Sequence, residues 1–144
     1  MALPSVRKNV ITLIRLVERG RFLEAIEDYY AEDATMQENN SPPRCGLAAL
    51  LEHERRVLTS LNTMHVSRAE SFVVDGDLAV INWVLEYTDL EGRRRRLDEV
   101  AYQLWQDGKI VRERFYYDPA QRNVEVVPER HSDAESIVLA EKTA

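Results

Sequence analysis

One cysteine, Cys45, cannot form an internal disulfide, and a reducing cytoplasm is the expected compartment. No stretch approaches the roughly 20 apolar residues that span a bilayer, so no membrane partner is expected. The N-terminal MALPSVRKNV lacks a continuous apolar core followed by a small-residue cleavage site, and secretion is not indicated. Clustered positive charge is scarce as well. A net charge of −6 argues against nucleic acid as the main partner, because phosphate binding draws its affinity from grouped Lys and Arg. The three histidines are too widely spread to suggest a metal site. A glycine-rich phosphate loop and a Gly-x-Ser-x-Gly elbow are both missing, and Cys45 has no histidine near it in sequence. Neither a metal nor a cofactor is expected.

What remains has the content of one domain. A chain of 144 residues fits a single unit, and a domain of that size buries about two-thirds of its unfolded surface without a staple. Ser5 is a good N-cap for a helix over about 6–19, closed by Gly20, with Val6, Val10, Leu13 and Val17 in one apolar line. A second helix covers about 21–30 and buries Phe22 and Ile26. Residues 34–38 read as a short extended segment and 39–43 as a loop, because Pro42 and Pro43 remove donors and fix φ. A third helix covers about 47–60, and its buried stripe of Leu50, Leu51 and Leu58 also carries Glu54.

The period then changes to 2 and stays there. Residues 64–74, 78–88, 93–106 and 109–118 are extended runs separated by turns at Asp75-Gly76-Asp77, Leu90-Glu91-Gly92 and Asp107-Gly108. Helices first and a strand meander later define an α+β fold. The expected architecture is a cone-shaped roll, with three helices on the concave face of a curved, mostly antiparallel sheet. The cone is expected to take residues 1–122. Residues 123–144 read as an acidic tail, partly disordered or docking on a partner subunit, with 124–127 available for a short strand.

Side chains alternate across a strand, so parity assigns them to faces. Ala79, Ile81, Trp83, Leu85 and Tyr87 share one face and should be concave. Glu99, Ala101, Gln103 and Trp105 oppose Asp98, Val100, Tyr102 and Leu104; both sets mix polar and apolar residues, which leaves that strand's facing open. On the last strand Ile110 reads as the core anchor, and strict alternation carries Arg114, Tyr116 and Asp118 inward. Phe115 and Tyr117 then join Val100, Tyr102 and Leu104 in a convex apolar patch large for a monomer, so a homodimer through that face is expected. The run Arg93-Arg94-Arg95-Arg96 reads as a solvated strand end that discourages edge pairing, with an anion or nucleic-acid patch as the alternative.

The order of elements, with Asp107-Gly108-Lys109-Ile110 leading to Arg114-Phe115-Tyr116-Tyr117-Asp118, resembles the closing hairpin of SnoaL-like proteins in the nuclear transport factor 2-like superfamily. Tyr30-Ala31-Glu32-Asp33-Ala34 running into Met36-Gln37-Glu38 is similar to that family's helix-to-strand segment, and Pro43-x-x-Gly46 to the lead-in of its third helix. The resemblance covers about residues 5–120 and implies the cone fold. Its members include ketosteroid isomerases, polyketide cyclases, limonene epoxide hydrolase-like enzymes, dehydratases and non-catalytic subunits, so fold does not fix activity. The resemblance further implies that Asp118 is the acid ending the last strand, with Arg114 and Tyr116 completing an Arg-x-Tyr-x-Asp pattern. Arg96-Leu97-Asp98 has the form of the second pair used by the epoxide hydrolase branch, whereas the first helix lacks the tyrosine of the ketosteroid isomerases.

The candidate catalytic residues are therefore Asp118, Glu38, Arg114 and Tyr116, and the candidate ligand-binding residues are Met36, Glu54, Trp83, Glu99, Gln103 and Trp105. Carboxylates crowded into a half-apolar cavity repel one another and lose hydration, so at least one pKa should rise and leave both a base and an acid at neutral pH. Arg114 would hold one carboxylate ionised, Tyr116 would donate to a developing oxyanion, and Met36, Trp83 and Trp105 would supply the apolar wall. Plainer readings stand beside these. Asp118 fits a cap at the strand end, Glu38 an acceptor for the 39–41 loop, Glu54 with Arg114 a structural ion pair, and Trp83 the core. His53 reads as exposed and His65 as a hydrogen-bonded core residue. Two functions follow: a cofactor-independent isomerase, cyclase or hydrolase acting on a small, mostly apolar carbonyl, polyketide or terpenoid-like compound, or a binding or accessory dimer whose pocket groups satisfy one another.

Overall fold

Ser5 starts the first helix as its position suggests: its hydroxyl accepts from the Lys8 N–H at 3.2 Å, and α1 runs Val6–Glu18. Gly20, at a φ of 76°, turns the chain into α2, Phe22–Tyr29. The computed structural model describes residues 4–128, and within them the chain continues as β1 (Tyr30–Glu38), β2 (Arg44–Cys45), α3 (Leu47–Thr59), β3 (Leu61–Asp75), β4 (Leu78–Asp89), β5 (Arg94–Gln106) and β6 (Lys109–Tyr116). A 3-10 turn, Pro119–Asn123, follows. No helix among the described residues is long and apolar enough to cross a membrane.

The strands form one sheet in the order β2-β1-β6-β5-β4-β3. β1 runs parallel to β6, and every other described pair is antiparallel. β3 to β6 are the anticipated meander. α1 packs on β3 and β4 while α3 packs on β1, so the helices close the concave side. Val10, Leu13 and Ile14 of α1 and Ile26 of α2 bury against Ile81, Ala101, Trp105 and Ile110. The fold is the α+β cone that the element order implies.

The facing of the last two strands is where alternation alone does not suffice. On β5 the concave set contains Leu97, Glu99, Ala101, Gln103 and Trp105, while Asp98 and Tyr102 are exposed. On β6 strict alternation fails. Leu104 pairs with Arg112 but Trp105 pairs with Ile110, so Val111 is an extra residue, a β-bulge. Parity reverses there. Ile110 and Glu113 are both buried, whereas Arg112 and Tyr116 are exposed. Arg114, Tyr116 and Asp118 consequently do not point into the cone, contrary to the expectation from period 2. The convex strip loses Phe115 and gains Arg112 and Arg114.

Parity also divides the arginine run. Arg93 is exposed and 3.1 Å from Glu91, and Arg94 lies 3.8 Å from Glu86 on the outer side. Arg95 turns inward and is 7% exposed. The solvated-strand-end reading therefore holds for Arg93 and fails for Arg95. Past the end of β6, residues 118–126 lie along the free edge of β5. The Gln121 side chain accepts from the Asp98 N–H and donates to its carbonyl, and the Val126 N–H donates to the Arg94 carbonyl. Residues 124–127 form no strand, and residues 129–144 of the expected tail lie outside the described residues.

Leu50 is fully buried on the inner face of α3, whereas Val57 on the same helix is 38% exposed. Leu50→Ala is expected to cost about 2–5 kcal/mol in urea unfolding, and Val57→Ala less than about 1 kcal/mol. Equal losses would mean that α3 does not seat on the core through Leu50.

Candidate functional site

Between the helices and the concave face lies a cavity of about 360 Å³. That is room for a compact organic molecule. Its depth is marked by buried lining residues, Tyr30, Met36, Trp83, Gln103 and Glu113, and its mouth by exposed ones, Val57, Ser60 and Arg122.

The floor is a chain of hydrogen bonds across three strands. Trp105 Nε1 donates to Gln103 Oε1 at 3.0 Å, and Gln103 Nε2 donates to Glu113 Oε2 at 2.7 Å. The Tyr30 hydroxyl donates to the other Glu113 oxygen. Register explains the meeting: Glu113 pairs with Gln103 on one side and Met36 on the other, and the bulge turns it inward. Burial pushes the Glu113 carboxyl up to about 7, while the bonds from Tyr30 and Gln103 pull the other way. The Tyr30 phenol is raised well above its ordinary value, first by burial and then by Glu113.

Two further carboxyls face the same space without such support. Burial, followed by repulsion from Glu113 and Glu38, raises Glu54 to about 7. Burial, then Glu113, Glu38 and Glu54, raises Glu99 to about 8. Both line the cavity and are half-buried. Neither has a hydrogen-bond or ion-pair partner among the described residues.

Glu38 sits nearer the rim, 3.6 Å from Arg44 and 3.9 Å from both His53 and Arg122. Burial and then Arg44 lower the His53 pKa against the opposing pull of Glu38, so the imidazole is neutral at neutral pH. Where α3 passes into β3, Arg95 donates from Nε to Asp89 Oδ2 at 3.1 Å. Both residues line the cavity beside Tyr87. Among the described residues no group of three or more His, Cys, Asp or Glu is arranged to hold a metal ion.

Of the residues selected from sequence, the fold brings Met36, Glu38, Glu54, Trp83, Glu99 and Gln103 together on the cavity wall. Trp105 lies behind the wall, fully buried, with its ring edge-on to Tyr29 at 6.0 Å. The remaining three are elsewhere because of the bulge. Asp118 Oδ1 accepts from the Ala120 N–H at 2.9 Å and caps the 3-10 turn, in line with its plainer reading. Arg114 donates to the Asn39 carbonyl at 2.9 Å and to Asn40 Oδ1 at 2.6 Å, with its guanidinium 4.8 Å over the Tyr116 ring. It makes no pair with Glu54. His65 bonds Thr88 Oγ1 at 2.6 Å, the structural role expected of it.

Sequence reasoning missed Glu113, Tyr30, His53 and Arg95. Tyr30 was not reachable by parity: β1 shifts its register on β6 between Tyr30 and Thr35, and Glu32, of the same parity, is exposed. Glu113 carried no signal, because nothing in Ile110-Val111-Arg112 announces a bulge.

The SnoaL-like domain family matches residues 10–113, and the chain belongs to that family. Solved structures agree in fold. A proposed SnoaL-like polyketide cyclase from Mesorhizobium loti is 25% identical, covers 79% of this chain and 100% of its own, and superposes with a TM-score of 0.69. An NTF2-like protein of unknown function from Burkholderia pseudomallei is 17% identical over 83% of this chain and 95% of its own, with a TM-score of 0.72. TerC, co-crystallised with polyporic acid, is 22% identical over 81% of this chain and 94% of its own, with a TM-score of 0.70. No curated protein matches the chain.

The three raised carboxyls link stability to pH. Each keeps its proton in the folded state after the unfolded chain, with a value near 4.5, has released it. Their contribution is complete below about 4.5 and is lost as pH rises through about 7 to about 8. The melting temperature of the wild type is expected to fall over that window. Glu99→Gln should flatten the fall and melt at least about 3 °C higher at its upper end. Asp118→Asn, a substitution off the cavity that keeps a capping side chain, should track the wild type. A wild-type melting temperature that rises across the window would contradict the burial of these acids.

Proposed function

We propose that the cavity binds a small, mostly apolar carbonyl compound of the polyketide or terpenoid kind and moves a proton on it without a cofactor, as an isomerase, cyclase or hydrolase. The observation that carries this reading is the pair of unpartnered carboxyls, Glu54 and Glu99, facing one cavity with the hydrogen-bonded Glu113. Acids placed so close titrate as a set, and near neutral pH such a set holds protons on some members and not on others. An ionised member removes a proton beside the carbonyl, and a protonated member donates to the oxygen on which charge develops. Met36 and Trp83 form the apolar wall against which a ring lies. Asp118, Arg114 and Tyr116 have no part in this scheme, since they do not face the cavity. Membership of the SnoaL-like family supports the reading, as do a neighbour proposed to be a polyketide cyclase and another crystallised with polyporic acid.

A second reading, a non-catalytic ligand-binding or accessory protein, is favoured by the Tyr30–Glu113–Gln103–Trp105 chain, which satisfies its own members. Deuterium uptake beside the carbonyl of cyclic unsaturated ketones in heavy water separates the two. On the first reading the wild type accelerates uptake, with a bell-shaped pH profile whose limbs lie near about 7 and about 8. Glu99→Gln and Glu54→Gln then lose about 100-fold or more. Saturable binding with no acceleration would leave the accessory reading.

The convex strip supports a homodimer, with Tyr102 38% and Tyr116 45% exposed on neighbouring strands. Tyr102→Arg is expected to shift the protein to monomer in sedimentation, and an unchanged sedimentation coefficient would rule that face out. An exposed free thiol at Cys45 fits a reducing, cytoplasmic setting.

A further inference from the structure

We propose that the end of the cavity where α3 passes into β3 receives a carboxylate carried by the ligand, with Arg95 as its anchor. The compound is then an elongated mono-acid with its reactive carbonyl at the far end. This rests on the cavity being a ligand site and adds where the ligand's own charge lies.

An arginine as buried as Arg95 is rarely left with spare donors, because removing a guanidinium from water is costly unless its N–H groups are met. Its side chain is 8% exposed, and among the described residues only its Nε has an acceptor, Asp89 Oδ2. Asp89 is not free to take more. Its Oδ1 accepts from the Glu91 and Arg93 N–H groups at 3.0 and 2.9 Å, which ties it to the β4–β5 turn. The Arg93 bond, with lesser help from Arg95, holds the Asp89 carboxyl below its ordinary value. Asp89 therefore stays ionised and holds the guanidinium by one edge, on a residue that lines the cavity and whose two terminal nitrogens are neither bonded nor sealed from solvent among the described residues. Two parallel N–H donors on a planar fork match the two oxygens of a carboxylate.

The strand fixes the spacing. Arg95 and Glu99 stand four residues apart on the same face of β5, about 13 Å along the chain. Leu97 lies between them, and Leu85 pairs with it across the sheet. The cavity thus has one end where an Arg95–Asp89 pair presents spare N–H donors, an apolar middle and an acidic floor. Asp89 offsets part of the Arg95 charge but has its own oxygens filled by N–H groups. A ligand carboxylate therefore meets the spare Arg95 donors at one end and carboxyl groups at the floor, which favours one orientation. It puts the acid group at Arg95 and the uncharged carbonyl beside Glu99. Arg122 at the mouth adds positive charge, but its guanidinium is engaged with Tyr117, donating to the hydroxyl at 2.9 Å.

The test compares two probes by calorimetry near neutral pH: biphenyl carboxylic acid with a para-acetyl group on its distal ring, and the methyl ester of the same acid. The wild type is expected to bind the acid about tenfold or more tightly than the ester. Arg95→Met should abolish that preference and leave ester binding unchanged, whereas Arg122→Ala keeps it. Equal binding of the two probes by the wild type overturns the assignment but leaves the cavity a ligand site. So does a preference that survives Arg95→Met or disappears with Arg122→Ala. Binding of neither probe counts against both the anion anchor and the reading on which it rests. If Arg95→Met fails to fold, the wild-type comparison together with Arg95→Gln decides in the same terms.

Discussion

At Val111 the last strand carries one residue more than its partner requires, and from that point its side chains change sides. The interior of the cone depends on this. Without the extra residue, the polar group at the base of the sheet would be Arg112 or Arg114, and the convex surface would carry Glu113 and Phe115. With it, a carboxyl enters a layer otherwise made of Ile110, Trp105 and Ala101. A charge there is tolerable only because Tyr30 and Gln103 reach it from neighbouring strands. Trp105 in turn orients Gln103, so four residues from three strands stand or fall together.

Around this supported acid the fold gathers two that are not supported. Two acids in one site would be a modest anomaly, explicable by a single missing donor. Three, with different degrees of support, make a graded set: Glu113 held by two bonds, Glu54 eased by the field of Arg44, and Glu99 opposed by every acid near it. Such grading is costly to a marginally stable domain, and selection for stability alone tends to remove it. Its presence on a cavity wall, instead of at a buried helix contact, is what supports the proposed proton transfer.

Most of the architecture was legible in the sequence because it depends on signals that repeat. Apolar spacing, a Ser N-cap and Gly-centred turns each recur or reinforce one another, and the helices and strands lie within a few residues of where those signals put them. The six candidates that line the cavity came from stretches whose periodicity holds locally: Met36 and Glu38 at the end of β1, Glu54 on α3, Trp83 on β4, and Glu99 and Gln103 on β5. The three candidates that lie off the cavity, Arg114, Tyr116 and Asp118, came from one strand and its end and share one cause. A bulge is a single-residue event without a compositional mark, and it inverts every assignment beyond it. Arg95 was hidden for the opposite reason: a run of four like residues invites one explanation, although period 2 guarantees that alternate members meet different surroundings.

The placement of the two tryptophans gives the molecule a division of labour as an optical instrument. Trp83 stands on the cavity wall, and Trp105 lies sealed behind it with its indole bonded to Gln103. A molecule in the cavity would touch one indole directly and reach the other only through Gln103, whereas loss of the fold exposes both. Occupancy and integrity would thus weigh differently on the two indoles, so intrinsic fluorescence can follow both without an attached dye.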